Sequence, residues 1–351
     1  MRMNLIPLLV VIFTLLTTAC TPAFKSAETQ SITVMTHDSF AISEALVADF
    51  EVEHGVKVIF VRGGDAGTTL NQAILTKENP VADVFYGVDN TFLTRAIEET
   101  LFLAYDSPLL AQIPAAFKID PGNFALPVDY GDVCINYDKA YFAAHNLPVP
   151  TSLEALIEPQ YAGLLVVENP ATSSPGLAFL MATIAHFGET GYLEYWHALR
   201  ENGVAVVSDW ETAYYTNFSG SSGRGPQPMV VSYGSSPAAE VLFAETPLVE
   251  APTGSIIGPN TCFRQIEFVG ILKNAPNPDL AKTFVDFMLS VPFQEDIPLQ
   301  MFVFPVNPQA NLPPAFLEHV DTPDQPASLP PELIEARRET WINAWIEVVL
   351  D

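Results

Sequence analysis

Basic residues are scarce in this chain. Fifteen Lys and Arg stand against 41 Asp and Glu, a formal net charge of −26. Such a surface repels phosphate backbones, which argues against nucleic acid as a partner, and it favours a cationic ligand over an anionic one. Charged residues reach only 16%, and 30 prolines punctuate the chain, which points to a turn-rich globular protein and not to a disordered one. Catalytic signatures are missing too. The six histidines form no H-E-x-x-H pair, "SGSSGRG" makes no G-x-S-x-G elbow, and "GGDAGTT" lacks the Gly-Lys-Ser/Thr ending of a phosphate loop. No nucleophile–base arrangement can be read from the residues. An enzyme is therefore the third reading, behind two binding proteins, and no cofactor is expected.

Cysteine is nearly absent. One of the three, Cys20, closes "LIPLLVVIFTLLTTAC" behind Arg2, an apolar stretch long enough for a signal peptide but short for a membrane span. Small residues before a lone cysteine resemble a bacterial lipobox, although Thr17 stands where such motifs carry Leu or Val. The expected organisation is a signal peptide over 1–20 with lipidation at Cys20, then a tether over 21–30. Ordinary cleavage and an uncleaved anchor are the alternatives. The mature protein is expected outside the cytoplasm, touching the membrane through a lipid anchor only. Cys134 and Cys262 remain, an even number that favours one disulfide in an oxidising compartment over two separately buried thiols.

The 351 residues suffice for two domains. From Ser31 onward, strand-like runs alternate with helical ones: "SITVMTHDSF", "AISEALVADFEVEHG" stopped by Gly55, "VKVIFVRGG", "TTLNQAILTKE" and "ADVFYGVDN". Alternation of this kind predicts a mostly parallel α/β sheet, with ligands beyond the carboxyl ends of the strands. Those ends carry His37, Asp38, Asp65 and Asp89-Asn90. In "NPATSSPGLAFL", Ser174 is the expected N-cap and Pro175 the first helical residue, yet Thr172 and Ser173 are spare hydroxyls beside an anion-friendly helix start. "SYGSSPA" repeats the design with Ser235, Ser236 and Pro237. Trp341 and Trp345, one turn apart in a C-terminal helix, are expected to be packed and not functional.

Two ligand chemistries compete. Tandem Tyr214-Tyr215 could supply phenolates to ferric iron, although neighbours on a helix point about 100° apart. An aromatic, acid-lined pocket fits more residues: Trp210, Tyr214, Tyr233 and Phe302 fall at strand ends or turns, and Asp65 and Asp129 could face a cation. No metal is expected on this second reading.

The ordered series "THDSF", "GDAG", "ADVFYGVDN", "PVDYGDVCINYDK", "NPATSSPGL", "DWETAYY", "VVSYGSSPA", "FQEDIPLQMFVFPV" and "RRETWINAWI" resembles the thiamine-binding lipoproteins and periplasmic proteins of ABC importers. The resemblance implies an α/β, two-lobe fold of the type II periplasmic-binding-protein kind, with thiamine or a thiamine phosphate between the lobes and a permease as partner. It implies lobe one over 31–127 plus 268–315, lobe two over 128–267, and a helical segment over 316–351 packed on both. The protein is expected to be a monomer. The ligand set implied is His37, Asp38, Asp65, Asp129, Thr172, Ser173, Gly176, Trp210, Tyr214, Tyr233, Ser235 and Phe302. His37 stands where the family commonly has tyrosine, Phe302 where it has tryptophan, and Ala239 where a further tyrosine occurs, so a less aromatic pocket is expected. In such a fold "VDYGDVCINYD" and "CFRQIEFVGIL" are neighbouring hinge strands, which brings Cys134 and Cys262 into disulfide range if their register matches.

Overall fold

The computed structural model describes residues 30–222 and 224–350; the signal segment, Cys20 and the tether up to residue 29 lie outside them. Alternation of buried and exposed side chains sets the first strands. β1 (Gln30–Thr36) buries Ile32 and Val34 completely, and β2 (Val56–Arg62) follows the helix Glu44–His54. That helix stops where Gly55 takes a left-handed φ of 66°. β3 (Val84–Asp89) is buried along its whole length, as a central strand with both faces covered should be.

The remaining described strands are β4 (Phe102–Leu103), β5 (Ala125–Asp138), β6 (Leu165–Glu168), β7 (Ala205–Val207), β8 (Met229–Tyr233), β9 (Thr253–Ile256), β10 (Phe263–Leu272) and β11 (Phe304–Pro305). They form one hydrogen-bonded path in the order β2-β1-β3-β10-β5-β8-β6-β7, with β4, β9 and β11 pairing off it. The expectation of a mostly parallel sheet is corrected here. Pairs at the two ends are parallel, but β10 runs antiparallel to both β3 and β5, and β5 antiparallel to β8. The physical reason is the long path of β5 and β10. β5 pairs with β10 over Ala125–Val133 and then with β8 over Val133–Tyr137, so it carries the chain from one parallel end to the other while β10 returns beside it in the opposite direction.

Helices cover both faces. The longest, Ser174–Glu201, changes direction at Gly188, whose φ of 73° and ψ of 169° are non-helical. The C-terminal helix Pro331–Val349 packs against it: Trp345 meets Trp196 edge to face at 5.4 Å. Trp341 and Trp345 are fully buried, and the buried Arg338 donates to the carbonyl of Thr91. No helix among the described residues is long and apolar enough to cross a membrane.

Candidate functional site

A cavity of about 640 Å³ opens where the carboxyl ends of β1, β2 and β8 converge. Two walls define it. The aromatic wall grows from a π-helical turn, Thr212–Asn217, that follows β7. Such turns widen the backbone and are frequent at functional sites. Trp210 stacks on Tyr214, with centroids 5.1 Å apart and planes at 17°, while Tyr215 and Tyr233 stand edge-on to the Trp210 ring. Trp210 is held at both ends: its indole N–H donates to Ser232 Oγ at 2.9 Å, and its backbone N–H to Asp65 Oδ2 at 3.3 Å. Opposite, Phe302 sits at a φ of 59°, rare for a bulky side chain, while the Ser235 hydroxyl donates to its carbonyl.

The second wall is acidic. Asp38, Asp65, Glu211, Glu240 and Glu267 line the cavity, against Arg62 as its one Arg or Lys side chain among the described residues. Asp65 caps the helix Ala66–Leu75 by accepting from Ala66 N at 2.6 Å, and burial pushes its carboxyl above the usual range. Glu267 belongs to a run of three acids in register across adjacent strands, Asp89 on β3, Glu267 on β10 and Asp129 on β5. Tyr86 OH bridges two of them, 2.5 Å from Asp129 Oδ2 and 3.0 Å from Glu267 Oε2. Burial raises Asp89 to about 7, and burial with the nearby Glu267 charge pushes Asp129 well above the usual carboxylate range. His37 Nε2 lies 3.5 Å from Glu267 Oε1, with its ring packed over Gly87, where an added Cβ would come within 2.3 Å.

Three comparisons follow from this geometry. Residues 79–325, most of the chain, match the family model described as bacterial extracellular solute-binding protein. The chain belongs to this family. It therefore acts outside the cytoplasm as a solute-binding protein, and its two-lobe α/β fold is shared with a solved "Periplasmic thiamin binding protein" at TM-score 0.79 and 26% identity, over 91% of this chain and 96% of that one. The thiamine-binding periplasmic protein of Brucella suis is 29% identical over 93% of both chains. That of Salmonella typhimurium is 29% identical over 95% of this chain and 97% of its own.

Of the residues singled out from sequence, His37, Asp38, Asp65, Trp210, Tyr214, Tyr233 and Phe302 line the cavity of this solute-binding protein. Asp129, Thr172, Ser173, Gly176 and Ser235 do not. Asp129 lies behind Glu267; Thr172 is turned to the carbonyl of Ser208 at 2.6 Å. Gly176 serves close packing, since a Cβ there would lie 2.6 Å from the carbonyl oxygen of Glu168. Ser173, and not Ser174, is the N-cap. Its hydroxyl is fully buried, makes no hydrogen bond of normal geometry, and lies close enough to Asp65 to favour that group's ionised form. The one-residue offset repeats in the second turn, where Ser235 is the N-cap and Ser236 faces the cavity. Ser174 and Ser236, one position further along, are the serines of these two turns that line the cavity.

Sequence reading missed Glu267, Glu240, Phe243 and Phe40 among the lining residues. For Glu267 a signal existed: a lone carboxylate inside the apolar strand "IEFVGIL" has no place unless something faces it. The tandem tyrosines both line the cavity, with ring centroids 5.4 Å apart and planes at 87°, but their surroundings differ. Tyr214 is buried and donates to Glu240 Oε1 at 2.6 Å, whereas Tyr215 is 50% exposed. Burial and the Glu240 charge raise the Tyr214 phenol well above its ordinary value. No group of three or more His, Cys, Asp or Glu among the described residues is arranged to hold a metal ion.

Cys134 and Cys262 are bridged, with Cα atoms 4.3 Å apart. Val133 on β5 pairs with Phe263 on β10, so one further step of the antiparallel register sets the two cysteines opposite each other.

Proposed function

We propose that this protein captures thiamine, or one of its phosphates, in the cleft between its lobes and delivers it to the permease of an ABC importer. The observation that carries the reading is the cavity itself. A stacked Trp210–Tyr214 pair with Tyr233 edge-on suits a flat heterocycle, and five carboxylates around it suit a positive charge. Aromatic faces over a desolvated cation contribute roughly 0.5–2 kcal/mol each. The names of the relatives point the same way. Binding is proposed to involve no covalent chemistry.

The ligand contacts proposed are the cavity-lining His37, Asp38, Asp65, Trp210, Tyr214, Tyr233 and Phe302, joined by Ser174 and Ser236. The lobes are proposed to divide at 127/128 and 267/268, with 316–351 packed behind. The β5–β10 ladder supports this, because its register shifts between Glu267 and Phe268, opposite residues 127–129. A bulge at a crossing point permits bending. Lipidation at Cys20, a monomeric state and the permease partnership belong to the same proposal.

Calorimetric titration with thiamine, its mono- and diphosphate, spermidine and Fe(III) tests it. Saturable thiamine binding at one site is expected. Iron binding without thiamine binding would replace this reading with the ferric one.

A further inference from the structure

We propose that Glu267 is the carboxylate that meets the positively charged ring of the ligand. The inference rests on the reading of the cavity as a cation site and assigns the charge within it. Four other carboxylates line the cavity, and each has another commitment or position. Asp65 is engaged by Ala66 N and Trp210 N, Asp38 accepts from Gly64 N at 3.0 Å, Glu240 accepts from Tyr214, and Glu211 is exposed. Glu267 accepts from Tyr86 at 3.0 Å and lies 3.5 Å from His37, but it accepts from no backbone N–H among the described hydrogen bonds, and at 8% side-chain exposure it is more buried than Glu240. Its carboxylate is buried without a full counter-charge, which is costly unless a cation arrives.

The surroundings keep it that way. Tyr86 has one hydroxyl proton for two carboxyl groups, and it lies closer to Asp129. Asp129 Oδ1 is buried and finds no donor among the described residues. Burial pushes Asp129 towards its neutral form, and of the two acids only Glu267 reaches the cavity. His37 lies 3.5 Å from one oxygen of that carboxylate and Tyr86 3.0 Å from the other, and His37 and Glu267 both line the cavity.

The test titrates the mature full chain and its Glu267→Gln and Glu267→Asp variants with three ligands. These are thiamine, the uncharged thiophene isostere of thiamine, and the N-methylated nicotinamide cation. Glu267→Gln is expected to weaken thiamine by about tenfold or more while the neutral isostere changes less than about twofold, and Glu267→Asp to retain the preference for the cation. Equal weakening of both ligands by Glu267→Gln, or an undiminished preference for thiamine, overturns the assignment. If the wild-type protein binds the pyridinium and not thiamine, the thiamine reading fails; a tenfold loss of that cation in Glu267→Gln still upholds Glu267. Absence of binding to either cation overturns both. Should Glu267→Gln not fold, as judged by its melting curve, loss of the cation preference in Glu267→Asp overturns the assignment and its retention supports it.

Discussion

The regular stretch of the β5–β10 ladder, from the cysteines to the bulge after Glu267, obeys opposite rules at its two ends. At one end Cys134 and Cys262 are covalently joined, and two residues further along β5, Asp132 faces Arg264 through two hydrogen bonds of 2.9 and 2.8 Å. At the other end Asp129 faces Glu267, acid against acid, with Asp89 on the far side of the same Glu267. Opposite charges across a ladder stabilise and like charges destabilise. Burying three acids in register costs stability, since each must give up either its hydration or its charge, and they persist where the ladder bulges and the cavity begins. The lesson is a division of labour along one strand pair. The locked end holds the crossing together, and the acidic end gives up stability to keep a charged, water-poor surface ready.

Breaking the locked end should have the largest effect on stability. The bridge closes a loop of 128 residues, which in the chain-entropy model corresponds to roughly 4–5 kcal/mol. Mature protein carrying Cys134→Ser and Cys262→Ser should show a correspondingly lower denaturant midpoint, with thiamine affinity changed less than about threefold where the folded form dominates. A parallel loss of affinity in fully folded protein would show that the two ends are coupled and end the division proposed above. Two alkylatable thiols in wild-type protein from an oxidising compartment would remove the locked end altogether.

The acidic end should announce itself through pH. Asp89 has a folded-state value of about 7, raised by burial from the ordinary 3.8. The folded protein thus keeps this proton to higher pH than the unfolded chain does. Its contribution to stability is complete below about pH 4 and is lost as pH rises through 7, an effect of up to roughly 4 kcal/mol. Asp65, Asp129 and Glu168, all raised chiefly by burial, act with the same sign. Melting temperature is expected to rise as pH falls from 8 to 5, and Asp89→Asn to flatten that slope. An identical slope in the variant would show that Asp89 does not titrate in this window.

Binding should follow the acidic end, under the aromatic wall. Trp210→Ala is expected to weaken thiamine by roughly 1–3 kcal/mol, because the indole packs between Tyr214 and the cavity and is fixed at both ends. Unchanged affinity would place the ligand elsewhere.

Much of this arrangement was legible in the residues. Gly55 marked a helix end, apolar runs marked β3 and β10, and the polar strand ends marked the cavity. Three things were hidden. The sheet's mixed direction was invisible because alternation of strands and helices does not say which strands cross between lobes. Hydroxyl assignment failed by one position at Ser173/Ser174 and again at Ser235/Ser236, since either serine can open a helix and the tertiary contacts decide which one turns to the cavity. The acidic row needed the register of three strands far apart in sequence. Asp89, Asp129 and Glu267 are unremarkable singly, and only the pairing of β3, β10 and β5 makes them neighbours.

The smallest expected effect separates the two ligand chemistries most sharply. Tyr214→Phe removes the hydroxyl that donates to Glu240 but keeps the ring under Trp210. A lost hydrogen bond to a partly buried carboxyl should lower stability by about 1 kcal/mol, while the stacked wall survives and thiamine affinity shifts less than about threefold. Glu240 is raised by burial and lowered by the Tyr214 hydroxyl, so without that donor its carboxyl should titrate still higher. The sign follows: Glu240 then becomes neutral more readily, and the cavity loses negative charge at a higher pH than in the wild type. Thiamine affinity measured between pH 5 and 8 should accordingly decline slightly earlier on acidification in Tyr214→Phe. For a ferric site the same substitution would remove a ligand atom and abolish binding at every pH. A large, pH-independent loss would therefore transfer Tyr214 from the packing of the aromatic wall to direct ligation.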